Sequence, residues 1–255
     1  MSSVKKERIV QLSLLGIVVT VIILVLALNG NVIWDSFDKN FLDDNNYLQV
    51  FKGLANTLLI TLVGFLVGII LGGITCIVLG LNDNNIFVII LKQIFKVYVS
   101  VFRGTPAVVQ LLIIYFVIFS SYKGNPIFIA MLAFGLNSGA YVSEILRGGI
   151  NSVPLGQMEA GRSLGLSYSQ VMFRVIFPQA IKNALPSLGN EFIALIKETS
   201  VVGFIASFDL TLAFRKIANS SYDYMFVYLV MGASYFVIVF GITKLLSLLE
   251  RKLLK

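Results

Sequence analysis

Long apolar runs alternate with short polar ones along this chain, and the alternation predicts membrane helices joined by loops. Residues 9–28 form an apolar run of about the length that crosses a bilayer, behind Lys5, Lys6 and Arg8. As a cleaved leader its core is too long and Ala27-Leu28-Asn29 is a poor cleavage site, so it reads as a retained first span. Residues 29–46 are polar and acidic, with Asp35, Asp38, Asp43 and Asp44 against Lys39. They read as an extracytoplasmic loop whose Trp34, Phe37 and Phe41 rest at the membrane interface. The second span covers 51–81, where Gly64, Gly68 and Gly72 make a stripe of small residues that lets another helix approach. After a turn at 81–85, a helix over 86–101 carries Lys92 and Lys96 one turn apart, placed to snorkel to the cytoplasmic surface.

Gly104 is placed to end that helix, and Thr105-Pro106 is a start signal for another running to about 120. The third span is therefore predicted to be broken. A fourth covers 127–146, a fifth 186–207 and a sixth 225–246, with an outer loop of mixed charge at 208–224. The fold class is an all-α integral membrane protein of about six transmembrane helices.

The stretch 154–178 stands apart because it is polar and amphipathic. Glu159 is placed in the first turn of one short helix, where a carboxylate favours the positive end of the backbone dipole, and Gly165 is where that helix can stop. Ser167 or Ser169 then caps a second helix, whose Val171, Met172, Val175 and Ile176 share a face and which Pro178 closes. Such a pair suits the groove of another protein. A surface helix lying on the membrane interface is the other reading.

Composition sharpens this picture. With 57% hydrophobic and 13% charged residues, the chain is far more apolar than a soluble domain. The net charge of +7 needs no nucleic acid, because thirteen Lys and Arg fall in predicted cytoplasmic segments and five in outer ones. Both termini are then cytoplasmic, as is 154–178. With one cysteine, Cys76, and no histidine, there is no metal site and no catalytic group to name. No phosphate-binding Gly-x4-Gly-Lys-Ser/Thr loop occurs.

Ionisable groups inside the bilayer cost about 2.5 to 3.5 kcal/mol each and therefore mark candidate sites. Arg103 stands beside the predicted helix restart at Thr105 and Pro106, where free N–H groups attract an anion; it either adds its charge for a substrate carboxylate or marks the cytoplasmic lip, paired with lipid phosphate or Glu144. Asn137, Tyr141 and Glu144 follow i, i+4, i+7 spacing and share one face. Glu144 either lines a translocation path or pairs near a gate with Arg147 or Arg103. Lys197, Glu198, Thr199 and Ser200 close the fifth span, with Glu191 seven residues before Glu198. They either neutralise one another or meet the carboxylate and ammonium of a zwitterion.

Several motifs resemble a known family. Glu159-Ala160-Gly161, then Gly165, then Val175-x-Phe177-Pro178 is similar to the EAA loop of ABC-importer permeases, with Gly161 in place of the usual second alanine. Phe102-Arg103-Gly104-Thr105-Pro106, Gly139-Ala140-Tyr141, Glu144-Ile145, Arg147-Gly148-Gly149-Ile150 and Lys197-Glu198-Thr199-Ser200 resemble the permeases for polar amino acids. The resemblance runs from about Gly53 to the C-terminus. It implies an N-terminal helix and loop over 1–46, then a permease domain over 47–255 with its coupling loop at 154–178. It also implies uptake of a polar amino acid, a separate ATPase subunit that binds ATP and Mg, an extracytoplasmic amino-acid-binding protein, and a second permease copy or sister permease in the cell membrane. This chain would hold no cofactor. A permease for another small solute, or a channel without ATP coupling, is the alternative.

Overall fold

The computed structural model describes residues 30–42, 45–81 and 84–253. The predicted first span at 9–28 lies outside them, as do Asp43, Asp44 and Lys255. The described chain is helical throughout, with α1 at Gly30–Phe37, α2 at Asn46–Gly80, α3 at Ile86–Gly104 and α4 at Ala107–Ile113. Then come α5 at Pro126–Asn151, α6 at Leu155–Ser163, α7 at Tyr168–Val171, α8 at Phe177–Glu198, α9 at Leu210–Ser221 and α10 at Tyr224–Leu253. Helices α2, α5 and α10 are each long and apolar enough to cross a membrane. The stretch 86–118 is apolar enough for a fourth crossing if its two helices, bent by 114° at their break, act as one span. Helix α8 has the length of a span, but Lys182, Glu191, Lys197 and Glu198 make it the most polar of them.

The centre of the molecule is the contact between α2 and α5. Its cause is glycine on both sides. A Cβ added at Gly68 would lie 2.8 Å from Ser138, and one at Gly72 2.6 Å from Val142. From the other face, a Cβ at Gly135 would lie 2.5 Å from Val67 and one at Gly139 2.7 Å from the Tyr98 hydroxyl. The predicted small-residue stripe thus has α5 as its partner. Around this seam Ile60, Leu111, Phe134, Leu195 and Val202 form the main core. The opposite edges of α2 and α3 expose Leu62, Leu66, Ile70 and Ile77, and Ile86, Ile90 and Ile94, as lipid-facing stripes require.

Two segments predicted as loops are helical. Residues 29–46 were expected as an outer loop, yet α1 and the π turn Asp38–Leu42 occupy most of it. Phe41 is buried against Phe214 and Phe226 instead of resting at the interface, and Trp34 alone of the three aromatics stays largely exposed. Residues 208–224 were likewise expected as a loop but fold as α9, which buries Leu210, Phe214 and Ile217. Its 3.6-residue apolar spacing outweighs its charge. Buried Asp209 caps α9 by accepting from Leu212 N at 2.9 Å and Thr211 N at 3.2 Å, while burial pushes its carboxyl above the ordinary value. Leu210 N donates to Thr57 Oγ1 and Asn56 Nδ2 to Phe208 O, so α9 is tied to α2.

Candidate functional site

The break between α3 and α4 falls at the predicted place. Helix α3 ends at Gly104, Thr105 is extended, and Pro106 caps α4 one position earlier than the first helical residue expected of it. Breaking a helix frees its last carbonyls. Gln110, one turn into α4, reaches back to them: the two N–H groups of its Nε2 are shared among Phe102 O at 2.8 Å, Thr105 O at 2.9 Å and Thr105 Oγ1 at 2.8 Å. Its Oε1 accepts from Asn137 Nδ2 at 2.8 Å. Thr105 and Asn137, both candidate path residues, are therefore joined through a third residue that the sequence reading did not name. A single glutamine four residues past a Pro in an apolar run was the available signal.

Arg103 projects from the same break toward α5. Its guanidinium lies 5.5 Å from the centre of the Tyr141 ring and 3.6 Å from Glu144 Oε2. Glu144 also accepts from Arg147 at 2.7 Å, so one carboxylate is shared by two arginines. The predicted face of Asn137, Tyr141 and Glu144 does converge on the break, with Asn137 buried and Glu144 part-exposed. Two cations against one anion leave net positive charge where a carboxylate can compete for Arg103.

The remaining path candidates lie on α8 and the 3-10 segment Thr199–Ile205 that continues it. Lys197 and Ser200 border an open, mostly apolar groove of about 560 Å³ whose other wall is α10, with Met231, Tyr235, Phe236 and Phe240. Glu198 is half-buried beside Lys197. Thr199 is fully buried and its hydroxyl donates to Ile196 O, which makes it a structural residue of the helix end. Helix α4 packs on the 199–205 segment, so the two groups of candidates are neighbours through Leu111, Ile114 and Val202.

At the other end of α8, residues 154–178 form the expected helix pair. Helix α6 ends in a Schellman motif: Gly165 N bonds to Arg162 O, Leu166 N bonds to Gly161 O, and Gly165 has φ +82°. Ser167 and Gln170 make a capping box that starts α7. Gly161 is buried where a Cβ would lie 2.6 Å from Val171, so at this position the alanine usual in the loop would not fit. Val171 and Ile176, with Met172 and Val175 beside them, make the expected apolar face, and they bury against Val153 and Ala180. Two expectations fail. Glu159 is the fifth residue of α6, past the first turn, because the helix begins at Leu155. Pro178 does not close a helix: the backbone stays helical from Tyr168 through a π segment at Met172–Ile176 into α8, with Pro178 in the first turn of α8, and α8 runs on through Pro186. The loop therefore leads straight into α8, and the helix expected to begin at Pro186 as the fifth span begins at Phe177.

Of the coupling candidates, Glu159, Ala160, Phe177 and Pro178 are exposed, whereas Gly161, Gly165 and Val175 shape the pair. Leu155, Leu164, Tyr168 and Phe173 are exposed as well, and the sequence reading missed them. Their signal was apolar residues on the polar side of a polar helix. The start of α8, which the pair leads into, is braced on α5: a Cβ at Gly149 would lie 2.5 Å from Ala180 O, and Asn183 Nδ2 donates to Ser152 Oγ at 2.8 Å.

Comparison with known proteins adds the family. The profile described as "Binding-protein-dependent transport system inner membrane component" matches residues 64–255. The arginine transport system permease protein of Bacillus subtilis (strain 168) is 39% identical over 206 residues, covering 80% of this chain and 92% of that protein. The L-cystine transport system permease protein of the same organism is 36% identical over 231 residues, covering 89% and 94%. A crystal structure of an amino acid ABC transporter with histidines superposes with a TM-score of 0.75 at 38% identity, covering 83% of this chain and 98% of that one.

Proposed function

The chain belongs to the family of binding-protein-dependent transport system inner membrane components and is the permease subunit of an amino-acid ABC importer; we propose that its α6–α7 pair takes the stroke of a separate ATPase and that α8 carries it to the cargo. The protein is a multi-pass component of the inner membrane and does not itself hydrolyse ATP. The proposal extends to the placing of both termini in the cytoplasm, to ATP and Mg held by the partner, to an extracytoplasmic protein that delivers the cargo, and to a second permease copy or sister chain completing the pathway.

One observation carries the proposal: α8 runs without interruption from Phe177, at the helix pair, to Glu198, beside Lys197. Its 22 residues span about 33 Å at the helical rise. A push on exposed Glu159 and Phe177 is therefore delivered to Lys197 and Ser200 by a rigid rod. At that end Lys197 meets the carboxylate and Glu198 the ammonium of a zwitterionic cargo, and Arg103, at the break against α5, is a second cation for the carboxylate at another point of the path. In the resting arrangement Arg103 is held by Glu144 and the Tyr141 ring. Cargo competes for Arg103, and differential contact of a few kcal/mol is enough to shift the pathway between its two openings.

The test is hydrolysis and uptake measured together in proteoliposomes. Exchanging Glu159 for Ala in an assembled complex should leave ATP hydrolysis and abolish most uptake. Unchanged uptake per ATP would remove the helix pair from coupling.

A further inference from the structure

Glu144 holds its two arginines unequally. Arg147, three residues further along α5, takes both carboxylate oxygens: its Nε donates to Oε1 at 3.2 Å and its Nη2 to Oε2 at 2.7 Å. Arg103, on α3, stands 3.6 Å from Oε2, outside hydrogen-bond range. Its other contact among the described residues is the face of the Tyr141 ring, 5.5 Å from the ring centre. A ring face attracts the charge of a guanidinium and leaves its fork of N–H donors unspent. The Arg103 side chain is 43% exposed, so that fork is open to a ligand.

The Glu144–Arg147 pair does little for the fold. It joins i to i+3 on one helix with both side chains part-exposed, and such pairs add little to a helix. Its consequence is for Arg103. A carboxylate bound through both oxygens by one guanidinium has little to offer a second, whereas a carboxylate without Arg147 can turn to Arg103 and close a two-bonded pair on it. Glu144 would then occupy the donors that a cargo carboxylate needs. We propose that Arg147 is a positioning residue for uptake: by engaging Glu144 it keeps the donors of Arg103 free for cargo. The proposal rests on the reading of Arg103 as a cation that meets the cargo carboxylate.

The experiment measures binding of labelled arginine, glutamine, glutamate and cystine to the assembled permease–ATPase complex in lipid nanodiscs, and the tightest binder is the probe. Its α-carboxamide, which lacks the carboxylate charge, is the competitor and should compete about tenfold less well than the amino acid itself. Arg147→Gln should weaken probe binding about tenfold and remove that preference. Arg147→Lys keeps the charge but not the fork and should fall between. The deciding variant is Arg147→Gln with Glu144→Gln. With the rival carboxylate neutral, Arg103 is free again, and affinity and preference should both return. A merely structural Arg147 would leave this double variant no better than the single one. Glu144→Gln alone should bind the probe at least as tightly as the unmodified complex, a comparison that needs no stable Arg147 variant. Arg103→Gln should weaken binding, and adding Arg147→Gln to it should change nothing more.

Where Arg103→Gln weakens the probe, three results overturn the positioning role: no effect of Arg147→Gln, a loss that Glu144→Gln does not reverse, or weaker binding by Glu144→Gln alone. If Arg103→Gln leaves both affinity and preference unchanged, the reading of Arg103 fails instead. If none of the four amino acids binds the unmodified complex, the reading and the positioning role fall together.

Discussion

Arg103 shows what the pattern of residues could reveal and what it could not. Its place at a helix break and the i, i+4, i+7 face of Asn137, Tyr141 and Glu144 were readable, because both follow from helical geometry and from the cost of a charge in the bilayer. That Glu144 is shared between Arg103 and Arg147 was readable only as one of several options, since pairing depends on the angle between α3 and α5. Gln110 was readable only as a lone glutamine four residues past Pro106, not by its partners, since the three acceptors around its Nε2 and the Asn137 amide at its Oε1 come together only once the helix is bent. The two residues should separate in experiment. Arg103→Ala removes a part-exposed ion pair, worth about 0 to 1 kcal/mol to the fold. It should leave the melting temperature of the purified complex near its original value and weaken uptake about tenfold if Arg103 reads the cargo carboxylate. Unaltered uptake kinetics would make it a structural residue. Gln110→Ala instead strands the Phe102 and Thr105 carbonyls and the Asn137 amide. It should cost about 1 to 3 kcal/mol of stability, seen as a lowered melting temperature.

Among the elements, the α6–α7 pair was the most legible, and its exit was the least. A glycine stop, a serine cap and a four-residue apolar face are local signals, and the structure has all three. Pro178 and Pro186 were read as ends because proline interrupts helices. Pro178 follows the π segment Met172–Ile176 inside continuous helical backbone, and α8 continues through Pro186, as membrane helices tolerate. Gly165→Val places a β-branched residue at φ +82°, at a strain of about 1 to 3 kcal/mol. Open space surrounds that position, so the effect is on backbone shape alone. The expected result is retained assembly with hydrolysis uncoupled from uptake, measured in the same vesicles. Coupling unchanged in a correctly assembled complex would show that the sharp turn is dispensable. Gly72→Leu tests a different element. A side chain there meets Val142 and Gly139, so α2 and α5 should separate and the complex should fail to purify intact.

The whole molecule divides into two functional ends joined by α8. The helix pair is at one end and α9 at the other, with the broken span and the α8 terminus between them. This division was visible from the charge asymmetry and from the polar stretch at 154–178 before any helix was placed. The burial of α9 was not, because it is a tertiary fact: Phe214 finds Phe41 across a separation that no local pattern records. The central claim, ATP-driven entry of a polar amino acid through this chain, is tested most directly by uptake of labelled arginine, glutamine, glutamate and cystine in cells with and without it, before and after ATP depletion. The account predicts that at least one of the four enters only when both the chain and ATP are present. Uptake of all four indifferent to the chain, with assembly of the complex verified, would contradict it.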